Sequence, residues 1–323
     1  GVPAEDVDAT ELIVTDRNFG NASPLFEPTN ARTRQRLAAI RKHGAIPIVT
    51  GFRGATEDGL CTTLGRGGSD YSATILGAAM DADEVWIWTD VDGVMTADPR
   101  LVPAARIIPE ISYREAIELS FFGAKVLHPK TIHPVMKKRI PVWIKNSFNP
   151  QCPGTKIVPV PTDRTPGVKA ITSVSHANLV TISGKDALGF PRLATRVFNG
   201  LHLEDVSTLM VTQSSADNVL CFAIHDADLP RVRARLEKTF ELEMLHEYVG
   251  TLEVMPKIAI IVAVGENMKG TPGIAGRAFG ALGRHGINII AIAQGSSELS
   301  ISFAVKSSDV KEAVQAIHEE FQL

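Results

Sequence analysis

The sequence predicts an α/β protein in which a largely parallel sheet is followed by two copies of a smaller α+β unit. Three observations carry that expectation. Up to about residue 157, short apolar runs alternate with helical patterns, as in the strand-helix units that build parallel sheets. A stretch rich in Pro, Gly and Asn then interrupts the alternation. Beyond it the chain repeats itself at a fixed offset of 81 positions.

In the first part, Gly44-Ala45-Ile46-Pro47-Ile48-Val49-Thr50 reads as a strand and Glu84-Val85-Trp86-Ile87-Trp88-Thr89 as another. Between them Ser69 to Met80 is expected to be helical, with Ser69 or Asp70 as N-cap and Ile75, Leu76 and Ala79 as the apolar stripe. Ser112-Tyr113-Arg114-Glu115 has the spelling of a capping box and opens a further helix. Pro141-Val142-Trp143-Ile144-Lys145 closes the region as a strand, and the prolines that follow place a domain boundary near residues 157–168. Downstream, the common offset relates Gly184 to Gly265, Gly189 to Gly270, Pro191 to Pro272, Arg196 to Arg277, Phe198 to Phe279, Gln213 to Gln294, Phe222 to Phe303 and Phe240 to Phe321. Each copy reads as strand, Gly-containing turn, helix, two strands and helix, which predicts helices on one face of an antiparallel sheet. The expected domains are therefore 1–157, 168–250 and 251–323.

Composition narrows the function. Of 323 residues, 44% are hydrophobic and 21% charged, and no run approaches the roughly 20 apolar residues of a membrane span. Lys and Arg number 33 against 36 Asp and Glu, so no global positive field attracts nucleic acid or an anionic bilayer, and any phosphate must be met locally. Cys61, Cys152 and Cys221 lack metal-ligand spacing and fit reduced thiols in the cytoplasm; no metal site is expected. Gly1-Val2-Pro3-Ala4-Glu5-Asp6 has neither the basic nor the apolar region of a signal peptide, and reads as an internal start.

Three motifs carry chemistry. In Thr62-Thr63-Leu64-Gly65-Arg66-Gly67-Gly68-Ser69-Asp70-Tyr71-Ser72, three glycines precede a helix N-terminus, where bare N–H groups cradle a phosphate or carboxylate. Arg66 adds a planar fork for a carboxylate. The plainer alternative is a tight turn with Ser69 as an ordinary cap. Thr89-Asp90-Val91-Asp92-Gly93-Val94-Met95-Thr96-Ala97-Asp98-Pro99-Arg100 follows a strand, at the end where open α/β sheets bind ligands. Asp90 and Asp92 either receive ribose hydroxyls or organise Mg²⁺ through water, with Arg100 beside a polyphosphate, or they simply form turns. In Phe121-Phe122-Gly123-Ala124-Lys125-Val126-Leu127-His128-Pro129-Lys130-Thr131, His128 before a proline is expected to mark a helix boundary rather than to act as a base, while Lys125 among apolar neighbours has the setting of a functional lysine.

Together these three motifs and the paired C-terminal repeat resemble aspartate kinase, an amino acid kinase domain followed by two ACT regulatory domains of βαββαβ type. The resemblance covers essentially the whole chain. It implies ATP-dependent phosphorylation of the β-carboxylate of L-aspartate, with Mg²⁺ bound mainly through the nucleotide phosphates. By motif, Phe52, Arg66, Ser69 and Asp70 resemble the aspartate-binding set, Arg66 forking onto the α-carboxylate and Asp70 receiving the ammonium or organising the reacting carboxylate. Thr89, Asp90, Met95, Arg100, Lys125 and Val126 resemble the nucleotide set, with Met95 where many relatives carry Tyr. The family also opens with a Lys-Phe-Gly-Gly-Thr-Ser strand whose Lys meets the transferring phosphate. Neither that motif nor the later Thr and Glu with which the family holds aspartate occurs in these residues. Phosphoryl transfer rests on positioning and charge stabilisation, so the chain alone is expected to show negligible turnover.

ACT domains bind an amino acid at the turn after their first strand. The corresponding residues are Asp186 and Gly189 in the first copy and Asn267 and Gly270 in the second, with Gln213 and Gln294 at the end of the second strand of each copy. The glutamines resemble those of threonine-responsive members; the plainer alternative is that each satisfies a sheet edge. Feedback control by threonine or lysine and a homo-oligomer built through the ACT domains are the corresponding expectations. Two alternatives are a non-catalytic regulatory subunit from an internal start and the kinase portion of an aspartate kinase-homoserine dehydrogenase fusion.

Overall fold

A computed structural model describes residues 1–123, 127–184, 189–214, 218–250 and 252–323. By its contacts the chain divides into two units. One holds residues 1–96 and 106–165, the other 97–105 and 166–323, so nine residues that follow Thr96 in the first motif-bearing half belong to the second unit.

In the first unit, β1 (Ala4–Val7) precedes α1 (Phe26–Lys42) and pairs in parallel with β2 (Ile46–Val49). A hairpin of β3 (Arg53–Ala55) and β4 (Cys61–Thr63) leads into α2 (Gly68–Ala79). Then come β5 (Val85–Thr89), β6 (Glu110–Ser112), α3 (Tyr113–Phe121), α4 (His133–Met136), β7 (Val142–Asn146) and β8 (Thr155–Val158). The last four strands form one sheet in the order β5-β7-β8-β6, parallel between β5 and β7 and between β6 and β8. β7 and β8 run antiparallel, because the turn joining them is too short for the dozen or more residues of a parallel crossover. Gly154 makes that turn possible. Its φ is 79°, and a Cβ there would stand 2.1 Å from the Ile144 carbonyl oxygen.

Helix α2 buries Tyr71, Ile75, Ala78 and Ala79, the first two against Val7, Leu12, Ile13, Leu37, Ile40 and Leu64. Its N-cap is Gly67 at φ 69°, not Ser69 or Asp70. Both side chains are thereby moved into the first helical turn and released from capping. The capping box forms as expected: Ser112 Oγ accepts from the Glu115 N–H at 3.1 Å, and Glu115 Oε2 accepts from the Ser112 N–H at 2.7 Å. Such a cap contributes about 1 kcal/mol.

In the second unit, one copy of the repeat comprises β9 (Ala170–Ser183), α5 (Phe190–Leu203), β10 (Met210–Ser214), β11 (Val219–His225), α6 (Leu229–Thr239) and the short α7 (Glu241–Leu245). The other comprises β12 (Glu253–Val264), α8 (Ile274–Arg284), β13 (Ala291–Gln294), β14 (Ser300–Lys306) and α9 (Val310–Phe321). A single sheet runs β10-β11-β9-β12-β14-β13, and its two edge strands approach each other, so the sheet is strongly curled.

The register between β9 and β12 contains the duplication. Ala177 faces Ile258, its own repeat counterpart, and pairs on one side have images on the other: Val180 with Val254 and Ser173 with Ile261, Leu179 with Met255 and Val174 with Ile260. A local two-fold axis therefore passes between Ala177 and Ile258. Beside it both strands are irregular at equivalent residues, His176 with φ 61° and Lys257 with φ 57°. Each long strand thus serves both copies. The first half of β9 joins the core of the second copy, where Val168 and Ile171 pack with Ile261, Phe303 and Ile317. The second half packs Val180 and Ile182 with Leu193, Phe222 and Leu236 of its own copy.

Arginines staple each helical layer in the same way. Arg196 stacks over Phe240, 4.5 Å from ring centroid, and donates to the Thr239 carbonyl; Arg277 stacks over Phe321 at 4.4 Å and donates to the Glu320 carbonyl. An arginine that both stacks and hydrogen-bonds holds a helix end more firmly than an exposed ion pair does.

Candidate functional site

The site grows out of the β4–α2 junction. Phe52 has φ 74°, a conformation that a bulky side chain adopts only when its surroundings impose it. Here they do: the Phe52 N–H donates to Ser72 Oγ at 2.9 Å, its carbonyl accepts from the Leu64 N–H at 2.9 Å, and its ring lies over Gly68. A Cβ on Gly68 would meet the ring at 2.7 Å, and one on Gly51 would meet Ser69 at 3.1 Å. Phe52, Arg66, Ser69 and Asp70 are thereby assembled on one strained turn at a helix N-terminus.

Their electrostatics are unusual. Arg66 is exposed, and among the described residues no acceptor takes its guanidinium. Asp70 is half-buried, has no ion-pair partner among the described residues, and burial raises its carboxyl above the ordinary value. The two do not pair with each other. One turn thus presents an uncommitted cation and an uncommitted carboxylate, four positions apart. His128 packs against Gly67 and acts as N-cap of the turn Pro129–Thr131, its Nδ1 accepting from the Lys130 N–H at 3.2 Å. That matches its expected boundary role. Burial, then Lys130 and Arg66, hold its pKa below the usual imidazole range, so it stays neutral at pH 7.

The second motif follows β5. Asp90 is exposed and, among the described residues, accepts only from Thr89 Oγ1, at 3.2 Å. Asp92 is committed elsewhere: its Oδ1 accepts from Asn146 Nδ2 at 2.8 Å and Asn149 Nδ2 at 3.1 Å, fastening the loop to the end of β7. The two aspartates thus differ in setting, Asp92 tied to two asparagines and Asp90 to its neighbour Thr89. Met95 is half-buried in a bridge with Ile107. Arg100 falls in the segment 97–105 that belongs to the second unit, and its guanidinium clasps Asp98 at 2.6 and 3.0 Å. Lys125 and Val126 lie outside the described residues. Among those described, no three His, Cys, Asp or Glu side chains converge as metal ligands.

Of the regulatory set, Asp186 also lies outside the described residues. Gly189 caps α5 at φ 67°, and Gly270, its counterpart, has φ 68°. The Gly270 N–H donates to Glu298 Oε2 at 2.8 Å, and the Asn267 carbonyl accepts from Thr271 Oγ1 at 3.0 Å. Gln213 and Gln294 are exposed at equivalent positions of β10 and β13, the two edges that the curl brings together.

Sequence reasoning did not single out Ser72, Asn21, Asn146 or Asn149. Ser72 stood within a quoted motif, and a hydroxyl on the buried face of a helix start was a signal. The asparagines act across the fold, and nothing in their neighbourhoods announces it.

Comparison with known proteins accords with this picture. The Amino acid kinase family matches residues 1–146 and the ACT domain residues 261–321. The bifunctional aspartokinase/homoserine dehydrogenase of Haemophilus influenzae is 43% identical over 319 residues, which are 99% of this chain and 39% of that protein. The chain thus spans about two fifths of the length of the first curated relatives it matches. Escherichia coli aspartokinase III, solved with aspartate and ADP in its R-state, superposes with a TM-score of 0.83 at 30% identity, covering 100% of this chain and 70% of that one. The same enzyme solved with lysine and aspartate in its T-state gives 0.78 at 32%, covering 98% and 69%. With that coverage and identity, the chain belongs to the aspartokinase family.

Proposed function

We propose that this chain supplies aspartate- and nucleotide-binding residues of an aspartate kinase, an activity that phosphorylates the β-carboxylate of L-aspartate at the expense of ATP. One observation carries the reading: the unpaired Arg66 and the unpaired, half-buried Asp70 share a single turn. A zwitterionic amino acid offers each of them its complement, carboxylate to the guanidinium and ammonium to the carboxylate. Ser69 and the N–H groups of the first turn of α2 favour anionic groups at the same place. The Phe52 ring shields it from one side.

Thr89 and Asp90 at the end of β5 are placed to hold the ribose or phosphates of a nucleotide, whose Mg²⁺ arrives on the phosphates and neutralises charge in the transfer. Arg100 joins them only by leaving Asp98, and an exposed ion pair of this kind holds it by only about 0–1 kcal/mol. Three free cysteines support a reducing, cytoplasmic setting, and among the described residues no helix is long and apolar enough to cross a membrane.

Binding reads the part of the reaction that these residues supply, independently of turnover. Calorimetry should show L-aspartate binding that Arg66→Ala weakens by about tenfold or more, as expected for loss of a bidentate charged contact. Unchanged affinity in Arg66→Ala would remove the assignment. In the second unit the equivalent glutamines on approaching strands support an amino acid effector, threonine or lysine, with two copies of the chain joining through this unit.

A further inference from the structure

The two glycines beside Arg66 are each pressed from outside by a side chain of another segment. A Cβ on Gly65 would stand 2.7 Å from Asn21 Oδ1, and a Cβ on Gly67 2.7 Å from the Cβ of His128. Both glycines are in the left-handed region, with φ of 77° and 69°, so neither neighbour could be accommodated by an ordinary residue. Asn21 and His128 are themselves tied together by Lys130. Its Nζ donates to Asn21 Oδ1 at 2.7 Å, and its backbone N–H donates to His128 Nδ1 at 3.2 Å.

Each end of this tie is anchored. Around Asn21, the Ala22 N–H donates to the Thr63 carbonyl at 2.9 Å, and the Thr63 N–H donates to the Phe19 carbonyl at 3.0 Å. Around His128, Thr131 is fully buried and its N–H donates to the His128 carbonyl at 2.9 Å. Helix α2 needs none of these contacts to begin, since the Tyr71 N–H already closes its first turn on the Gly67 carbonyl. What they do hold is the short piece of backbone from which Arg66 departs. An arginine has several rotatable bonds, so its aim depends on how firmly its own Cα is fixed.

Resting on the aspartate-binding reading of Arg66, we propose that Lys130 is a positioning residue, which through Asn21 and His128 clamps Gly65 and Gly67 and so aims Arg66 at the substrate carboxylate. Lys130 touches no reacting atom in this role. The neutral state of His128 suits it, because a third cation would repel both Arg66 and Lys130.

Calorimetry with L-aspartate and, separately, with ADP tests the proposal. Lys130→Met removes the donor and keeps the stem; Asn21→Ala removes the acceptor; Lys130→Arg retains a donor. Lys130→Met and Asn21→Ala should each weaken L-aspartate binding by about fivefold, less than the roughly tenfold or more expected on removing Arg66 itself. The double variant should be no worse than either single one, since both break the same link. Lys130→Arg should stay within about twofold of the parent, and ADP affinity and melting temperature should be unchanged throughout. Unchanged L-aspartate affinity in Lys130→Met overturns the inference while leaving the functional reading intact. Equal losses for L-aspartate and ADP together with a lower melting temperature also overturn it, by showing a merely structural role. A parent protein that binds ADP but no L-aspartate overturns the functional reading, and the inference falls with it.

Discussion

At Asp70, function and stability oppose each other. A carboxylate half-buried without a counter-ion is costly to keep ionised, which is why its pKa lies above the ordinary 3.8. The folded protein binds this proton at a higher pH than the unfolded chain does. Asp70's own contribution to stability is therefore most favourable below about pH 3.8 and declines as the pH climbs through the raised folded value, remaining lower at neutrality. Asp70→Asn removes the ionisation. Its melting temperature at pH 7 should exceed that of the parent, the advantage should vanish near pH 3, and L-aspartate affinity should fall. A scan in which the variant melts no higher at pH 7 would refute this account. Phe52 shows the same tension, held at φ 74° by Ser72 and Leu64 so that its ring can cover Gly68.

Elements are shared across the repeat boundary. The first half of β9 precedes the rest of the first copy in sequence, yet Ile171 is only 2% exposed within the core of the second copy, beside α8 and α9. The two long strands pair about the axis near Ala177 and Ile258, so that each contributes to the cores of both copies. Ile171→Ala should cost about 2–5 kcal/mol, the range for truncating a buried isoleucine. Hydrogen exchange is the sharper readout: amides of α8 and α9 should lose protection while those of α5 and α6 largely keep theirs. Loss confined to α5 and α6 would contradict the exchanged pairing.

For the molecule as a whole, the two units divide the work proposed for them. Residues 97–105 lie in sequence within the span of the first unit but belong to the second, where the Leu101 carbonyl accepts from Gln315 Nε2 on α9 at 2.8 Å. The segment that follows Asp90 is therefore covalently continuous with a nucleotide-side loop and packed in the unit that bears Gln213 and Gln294. On the proposed reading, an effector that favours one arrangement of the second unit favours the matching arrangement of the segment packed in it. Threonine or lysine at a hundred times its dissociation constant should stabilise the protein by about 2.7 kcal/mol, visible as a rise in melting temperature. Gln294→Ala should diminish the rise without shifting the unliganded transition. No rise with either amino acid would count against effector control.

Much was legible in one dimension. Alternating apolar patterns placed β2, β5, α2 and β7, the capping box at Ser112 was spelled out, and the offset of 81 residues announced two alike units. The Gly65–Asp70 turn was also readable, because glycines and a charged pair within six positions act locally. The released caps Ser69 and Asp70, the commitment of Asp92 to Asn146 and Asn149, and the reach of Lys130 to Asn21 were not, since each depends on residues brought together from 54 to 109 positions away or on a backbone dihedral. The sequence by itself determined the class of fold, the duplication and which residue types share the Gly65–Asp70 turn, because periodicity and composition act over a few residues. Only the tertiary structure decided which charges stay unpaired and which half-strand completes which core. Pairing and burial are properties of neighbours in space, and the chain brings those neighbours together only when it folds.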